Sequence, residues 1–343
     1  MFERYAREVE AAWGAVREAA RLAWAVRAAG PAAAAFKADR SPVTVADLAA
    51  QAVAARRLEQ AFPRDALVAE EDSRALRAEA GGARLRQVTA WVQRVLREAT
   101  PQAVCAWIDR GAGTARGRFW ALDPVDGTRG FLRGGQFACS LALIEGGEVV
   151  VAALACPALD RDLRPDASGA GMIALAVPGE GAWAGRLDGG RMRRLHVSAQ
   201  DRPEQARLLR SFEDRHTDPQ RMQRFAEALG ARRPPQRMDS LAKFALLAGG
   251  KAEIVLRLPT PQRPQHREWV WDLAAGTLLV LEAGGAVTDL EGRPLDFHAG
   301  RALTRNRGVL ASNGALHAAA RAALRAAGPV SPPDAGRASP ASA

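Results

Sequence analysis

The residues best placed to do chemistry are acidic and fall in four separated segments. The most informative is Asp123-Pro124-Val125-Asp126-Gly127-Thr128. Two carboxylates three residues apart leave the apolar run Phe119–Leu122 at a tight turn. Pro124 fixes its own φ and biases Asp123 towards an extended backbone. Gly127 lets the chain turn sharply and brings backbone N–H groups close to a ligand. A helix starting there would offer those groups to a phosphate oxygen. An Asp-Gly turn by itself is ordinary, but this one has company. Glu70-Glu71 follows the apolar Leu67-Val68-Ala69, Asp47 closes Ser41-Pro42-Val43-Thr44-Val45-Ala46, and Asp272 follows Trp269 and Trp271. Carboxylates at the ends of separate elements can converge on a hard cation, and Mg²⁺ takes oxygen ligands in octahedral geometry while keeping several waters. With five histidines and no His-Glu-x-x-His pair, the chain does not read as a zinc protein.

The elements that must position these groups can be read from hydrophobic periodicity. Residues 2–29 carry Phe2, Tyr5, Val9, Trp13, Val16, Leu22 and Val26 at helical spacing, with Gly30-Pro31 as a stop. A second helix is expected over Asp47–Phe62, a strand over Leu67–Ala69, and a helix around Val88–Leu96. Phe119–Leu122 reads as a strand, and Phe137–Ile144 with Val149–Ala155 as a hairpin turning at Glu145–Glu148. Further on, Leu241–Leu247 is expected to be helical and Ile254–Leu258 a strand. Asp272–Ala283 should form a helix closed by Gly284-Gly285, and Gly314–Ala327 the last helix. The expected organisation is an N-terminal α+β domain at 1–156, a C-terminal α/β domain at 157–327, and a disordered Pro/Ser/Ala/Gly-rich tail at 328–343.

Composition narrows the function classes. With 48% hydrophobic and 25% charged residues over 343 positions, the chain has material for a large core, which excludes general disorder. No apolar stretch is long enough to span a membrane, and the charged N-terminus carries no secretory signal. Cys105, Cys139 and Cys156 are odd in number and widely spaced, which argues against a disulfide framework and for a reducing cytoplasm. The net charge of +10 rests almost wholly on arginine: Lys37, Lys243 and Lys251 are the three lysines among 48 basic residues. Scattered arginines without a base-reading motif do not make a nucleic-acid protein; the excess charge fits a small anionic substrate but equally an arginine-rich background with no partner behind it.

Taken together, these segments resemble the Mg²⁺-dependent, lithium-sensitive phosphatases of the inositol monophosphatase superfamily. Within it the chain is most similar to the 3'(2'),5'-bisphosphate nucleotidases. The resemblance rests on residues 37–51 (KADRSPVTVADLAAQ), 68–73 (VAEEDS), 119–147, 238–259 and 269–289, in family order, and spans about residues 1–325. Gly130-Phe131-Leu132-Arg133-Gly134 and the insertion containing Ile108-Asp109-Arg110-Gly111 are of the nucleotidase type. Two positions depart from the pattern: Ala69 stands where a glycine is usual and Leu273 where a histidine is common.

The resemblance implies a layered αβαβα sandwich of mixed α+β and α/β character, two or three Mg²⁺ ions, and a role for each residue. One ion would be held by Glu70, Asp123 and the carbonyl of Val125, a second by Asp123, Asp126 and Asp272, and a weaker third near Glu70 and Asp47. Thr128, hydrogen-bonded to Asp47, would orient and deprotonate the attacking water, with Glu70 completing the catalytic group. Gly127 and Thr128 would contact the reacting phosphate, and Ser240 and Lys243 the nonreacting one, assisted by Arg257. His216, in the Ser211–His216 loop, and Lys37 would lie near the substrate. Asp39 is a polar neighbour without a stated role, Glu71 a solvated or supporting one. Trp269 and Trp271 read as core residues rather than as a base-stacking pair.

The implied reaction is hydrolysis of the 3'-phosphate of adenosine 3',5'-bisphosphate, with 3'-phosphoadenylyl sulfate as a second substrate, by a cytoplasmic monomer or homodimer with no nucleic-acid or membrane partner. Two alternatives stay open: a phosphatase of the same chemistry acting on inositol or sugar phosphates, and a noncatalytic RNA-binding or regulatory protein on the same scaffold.

Overall fold

The computed structural model describes residues 2–30, 35–36, 42–78, 81–214 and 217–329. The first half runs α1 (Ala6–Ala28), β1 (Ala35–Phe36), β2 (Pro42–Val43), α2 (Val45–Ala61), β3 (Ala66–Ala69), α3 (Arg74–Arg77), α4 (Gly82–Gln93), α5 (Pro101–Asp109), β4 (Arg118–Asp126), α6 (Thr128–Leu132), β5 (Ala138–Glu145) and β6 (Glu148–Cys156). It continues with β7 (Met172–Val177), β8 (Gly181–Arg186), β9 (Arg193–Arg194), β10 (Leu208–Ser211), α7 (Pro219–Leu229), β11 (Gln236–Met238) and α8 (Ala242–Ala248). The last elements are β12 (Ile254–Arg257), α9 (Ala274–Glu282), β13 (Ala286–Thr288), β14 (Val309–Ser312) and α10 (His317–Ala326).

Strands β3 to β9 form a seven-stranded sheet in chain order, with β3 and β4 parallel and the remaining pairs antiparallel. Side chains alternate across a strand, and here both faces are covered. Trp120, Leu122, Leu141 and Leu143 pack against α1 and α2, whereas Phe119, Ala121, Ala142 and Ile144 pack against α8 and α9. Buried alanines on α1 and α2 keep those two helices close. The five-stranded sheet has the order β11-β10-β12-β14-β13. Val255, Val309 and Ala311 join the α8/α9 layer, and Ile254, Leu256 and Leu310 meet α7 and α10 on the outer side. The layers are therefore αβαβα.

Several boundaries differ from the periodicity reading for physical reasons. Strand β4 continues through Asp126, because its pairing with β5 resumes at Asp126–Ala138 after a bulge beginning at Asp123. Helix α9 starts at Ala274 rather than at Asp272. Helix α5 was not anticipated; Thr100 caps it by accepting from the Ala103 N–H, and Pro101 occupies its first turn. The helix expected around Val88–Leu96 runs earlier, over Gly82–Gln93. The seam expected at 156/157 lies between β6 and β7, which pair with each other, so the first sheet draws on both sides of it. Among the described residues, no helix is long and apolar enough to cross a membrane, and all three cysteines are free thiols. Lys37, Asp39, His216 and the tail beyond Pro329 lie outside the described residues.

Candidate active site

The carboxylates gather at the C-terminal ends of the parallel strands β3 and β4, where the second half of the chain packs against them. In an unbroken strand, residues three apart point to opposite faces. The bulge between Asp123 and Asp126 removes that opposition. One oxygen from each of Asp123, Asp126 and Asp272 consequently lies within 4.8 Å of the others. Pro124 lacks a ladder donor, which suits it to a bulge. Asp123 Oδ1 accepts the Val125 N–H at 3.1 Å, fixing the turn. Glu70, which follows β3 directly, lines the same cleft, as do Val125, Gly127 and Thr128.

Asp272 is delivered by the turn before α9, where its N–H donates to Trp269 O at 3.2 Å. Ser140 Oγ donates to Trp271 O at 3.1 Å and ties that turn to β5. Burial and the mutual nearness of the acids hold the Asp126 and Asp272 carboxyls above their ordinary range, although Arg257 pulls both down and Lys243 pulls Asp126 down. Several buried carboxylates held together with only oxygen donors suit a hard divalent cation, which would remove the repulsion. The donor set thus fits the metal that the motif pattern implies.

Asp47 is fully buried and links the start of α2 to the cleft. It completes the capping box of α2, where Oδ2 accepts from the Thr44 N–H at 2.8 Å and from Thr44 Oγ1. Its Oδ1 accepts from Thr128 Oγ1 at 3.0 Å. The cap thereby sets the direction of a carboxylate that reaches the cleft through Thr128.

The opposite wall is built by residues 238–243. Lys243 is buried, and its ammonium donates to Met238 O at 3.1 Å and Ser240 O at 2.7 Å. Desolvation pushes its pKa down to about 8, against the pull of Asp126. Ser240 sits in the left-handed region at φ 64°, and the Leu241 N–H donates to Asp126 Oδ2. Gly127, at φ 85°, packs so tightly that an added Cβ would lie 2.9 Å from Ser240 Cβ. Arg257 lies between Glu268 at 2.6 Å and Asp272 at 3.5 Å, and these acids raise its pKa. Lys243, Ser240 and Arg257 all line the cleft with the carboxylates.

Some of the positioning residues carry no sequence signal. The Gln51 amide pairs with both backbone groups of Glu71, at 2.7 and 3.0 Å, and also donates to Ile108 O. Glu71 is buried, which fits the supporting rather than the solvated of its two expected readings. Arg301 donates to Ala69 O at 2.6 Å and Gly111 O at 3.0 Å, and its guanidinium lies 5.0 Å from the Trp271 ring centroid. Arg133 grips Asp239 with two bonds at 2.8 and 2.9 Å and also pairs with Glu213. The reading of both tryptophans as core needs correction: Trp271 is buried, but Trp269 is 41% exposed and lines the cleft. Of the two departures from the motif pattern, Leu273 is a buried core residue, and Ala69 abuts Gly111 so closely that a Cβ there would lie 2.7 Å from its own.

The inositol monophosphatase family model matches residues 3–328. The chain is 41% identical over 291 residues to a 3'(2'),5'-bisphosphate nucleotidase of Schizosaccharomyces pombe, covering 80% of this chain and 81% of that protein. It is 39% identical over 328 residues to a 3'(2'),5'-bisphosphate nucleotidase of Oryza sativa, covering 90% and 91%. An inositol monophosphatase structure from Anabaena shares the fold, with a TM-score of 0.61 at 20% identity over 96% of this chain and 97% of that one. By sequence and by fold, the chain belongs to the inositol monophosphatase family.

Proposed function

We propose that the protein is a Mg²⁺-dependent phosphomonoesterase that removes the 3'-phosphate from adenosine 3',5'-bisphosphate, and from 3'-phosphoadenylyl sulfate as a second substrate. The observation that carries this reading is the cationic pair Lys243 and Arg257 in the same cleft as Asp123, Asp126 and Asp272. Such a cleft accommodates one phosphate at the carboxylate end and a second anionic group beside the cations. The relatives at 41% and 39% identity carry the name of enzymes for nucleotides with two phosphates.

Glu70, Asp123, the Val125 carbonyl, Asp126 and Asp272 would hold the metal. Bound there, magnesium would supply Lewis-acid polarisation of the phosphoryl oxygens and a water of lowered pKa. The Thr128 hydroxyl lies 3.0 Å from Asp47 Oδ1 and 3.2 Å from Val125 O; when it donates to Asp47, an oxygen lone pair is left to accept from water. A water so held can lose its proton to the Thr128–Asp47 pair as its oxygen bonds to phosphorus in line and the P–O3' bond breaks, the leaving 3'-oxygen taking a proton from solvent, with no covalent phosphoenzyme. The Gly127 and Thr128 N–H groups would orient the phosphate, and Lys243, Ser240 and Arg257 the nonreacting end. Positioning and electrostatics dominate such phosphoryl transfers.

The test is Mg²⁺-dependent phosphate release from adenosine 3',5'-bisphosphate and inositol 1-phosphate side by side. Preference for the nucleotide is expected, and faster turnover of the inositol ester would overturn the substrate assignment. The clustered carboxylates speak against a noncatalytic scaffold, since buried acids without a catalytic or metal role cost stability.

A further inference from the structure

The cleft has two exposed aromatic side chains on its lining, Phe212 and Trp269, each 41% exposed. They differ in what surrounds their rings. Phe212 already has the Arg133 guanidinium 4.3 Å from its centroid and that of Arg237 at 6.0 Å. Trp269 belongs to an ordered stack. Its ring lies 5.1 Å from that of Trp271 with an interplanar angle of 5°, and Arg301 lies on Trp271 at 5.0 Å. Arg301 is anchored through Ala69 O and Gly111 O. The backbone below is held as well: Val270 N–H donates to Arg301 O at 2.9 Å, Leu303 N–H donates to Glu268 O at 2.9 Å, and Trp269 bridges to Ala302. A tryptophan fixed in this way loses little freedom when it takes a partner.

We propose that Trp269 is the nucleobase platform of the site: the base of the substrate caps the Arg301–Trp271–Trp269 stack while the reacting phosphate occupies the carboxylate end of the cleft. The inference deepens the nucleotidase reading and rests on it. Every nucleobase has a flat π-face, and an indole presents a large, sequence-tolerant surface to it. The platform stands three residues from Asp272, so base and reacting phosphate would be read by one rigid turn. A phosphate ester of a saturated polyol ring has no flat π-face to stack on Trp269. The stack would therefore supply discrimination between nucleotides and polyol phosphates.

The experiment is an equilibrium titration of the full chain with AMP and with inositol 1-phosphate in Mg²⁺ buffer. Intrinsic fluorescence and calorimetry are the readouts, applied to the wild type, Trp269→Ala, Trp269→Phe and Phe212→Leu. The expected result is that Trp269→Ala lowers the AMP-to-inositol-phosphate affinity ratio about ten-fold, that Trp269→Phe restores most of it, and that Phe212→Leu changes it little. AMP should also quench tryptophan emission in the wild type and less so in Trp269→Phe. An unchanged ratio in Trp269→Ala, or a wild type that binds AMP no better than inositol 1-phosphate, would overturn the platform. Because the readout is binding, it is decided even if phosphate release shows another preferred substrate; that outcome would sink the nucleotidase reading separately.

Discussion

Thr128 Oγ1 and Asp47 Oδ1 meet at 3.0 Å across 81 residues of sequence. The same carboxylate closes the capping box of α2 through Thr44. A helix cap and the proposed proton acceptor thus share one side chain, and the two roles can be separated by mutation. Thr128→Ala leaves the cap intact and is expected to lower kcat by about 10²–10⁴-fold, the range for losing a positioned general base, with an unchanged melting temperature. Asp47→Asn is expected to lower both, since an amide cannot accept all the bonds the carboxylate accepts, and loss of a cap costs about 1 kcal/mol. Thr128→Ser, which keeps the hydroxyl, should retain most activity. Phosphate release and thermal melting followed by circular dichroism check all three. A Thr128→Ala enzyme with full activity would remove the pair from the mechanism.

The acids at the end of β4 make stability depend on pH and metal together. Burial raises the Asp126 and Asp272 carboxyl pKa values above their unfolded values. A raised carboxylate binds protons more tightly in the folded state, so metal-free stability falls as pH rises from the unfolded pKa through the folded one. Mg²⁺ should restore it, and the rise in melting temperature on adding the ion should be larger at pH 8 than at pH 5. Asp126→Asn removes one of the repelling charges. It is expected to melt at or above the metal-free wild type while losing phosphate release and most of the Mg²⁺-induced shift. A differential scanning calorimetry series across pH, with and without Mg²⁺, decides this; a metal shift independent of pH would contradict it.

Gly127 is required for its backbone and for the space its missing side chain leaves. Its φ of 85° is costly for any L side chain, and an added Cβ would lie 2.9 Å from Ser240 Cβ. Ser240 cannot easily give way, because it is itself left-handed at φ 64° and its carbonyl holds Lys243 Nζ. Gly127→Ala is expected to destabilise by about 1–3 kcal/mol, the cost of a strained backbone position, and to disturb both walls of the cleft. Chemical denaturation and kcat/KM measure the two effects, and a variant as stable and active as the wild type would show that the contact relaxes freely.

How much of this was legible in the sequence depended on the range of the interactions. Both layers of helices next to the first sheet, and its central hairpin, follow from local periodicity, so α1, α2, β5 and β6 appear within a few residues of their expected bounds. Asp47, Glu70, Asp123, Asp126 and Asp272 could be singled out because they are acidic residues near expected element ends on separate segments, in the order of the family pattern. The bulge that brings Asp123 and Asp126 together could not, since it depends on how β4 registers against β5. Gln51 and Arg301 were invisible for a related reason: their partners are backbone groups, and Arg301 reaches Ala69 O across 232 residues. Trp269 and Trp271 show the limit most directly. They are two positions apart in one apolar segment, and only the tertiary fold makes one buried and the other exposed.

Lys243 is one of three lysines in a chain that otherwise uses arginine, and its environment explains why the exchange matters. Its compact ammonium donates to Met238 O and Ser240 O, and a planar guanidinium is not interchangeable with it there. Burial lowers its pKa to about 8, so the ammonium is present below that pH and is lost as pH rises through it. If it helps to hold an anionic ligand, the KM for the nucleotide should be flat below pH 7 and climb above pH 8. Lys243→Arg keeps its charge at all these pH values. The variant is expected to bind the nucleotide about ten-fold more weakly at pH 7, as for loss of a well-placed charged hydrogen bond, and to show no rise in KM between pH 7 and 9. The two profiles should therefore converge at high pH. Parallel profiles would mean that another group titrates, and an unchanged KM at pH 7 would remove Lys243 from the binding site altogether.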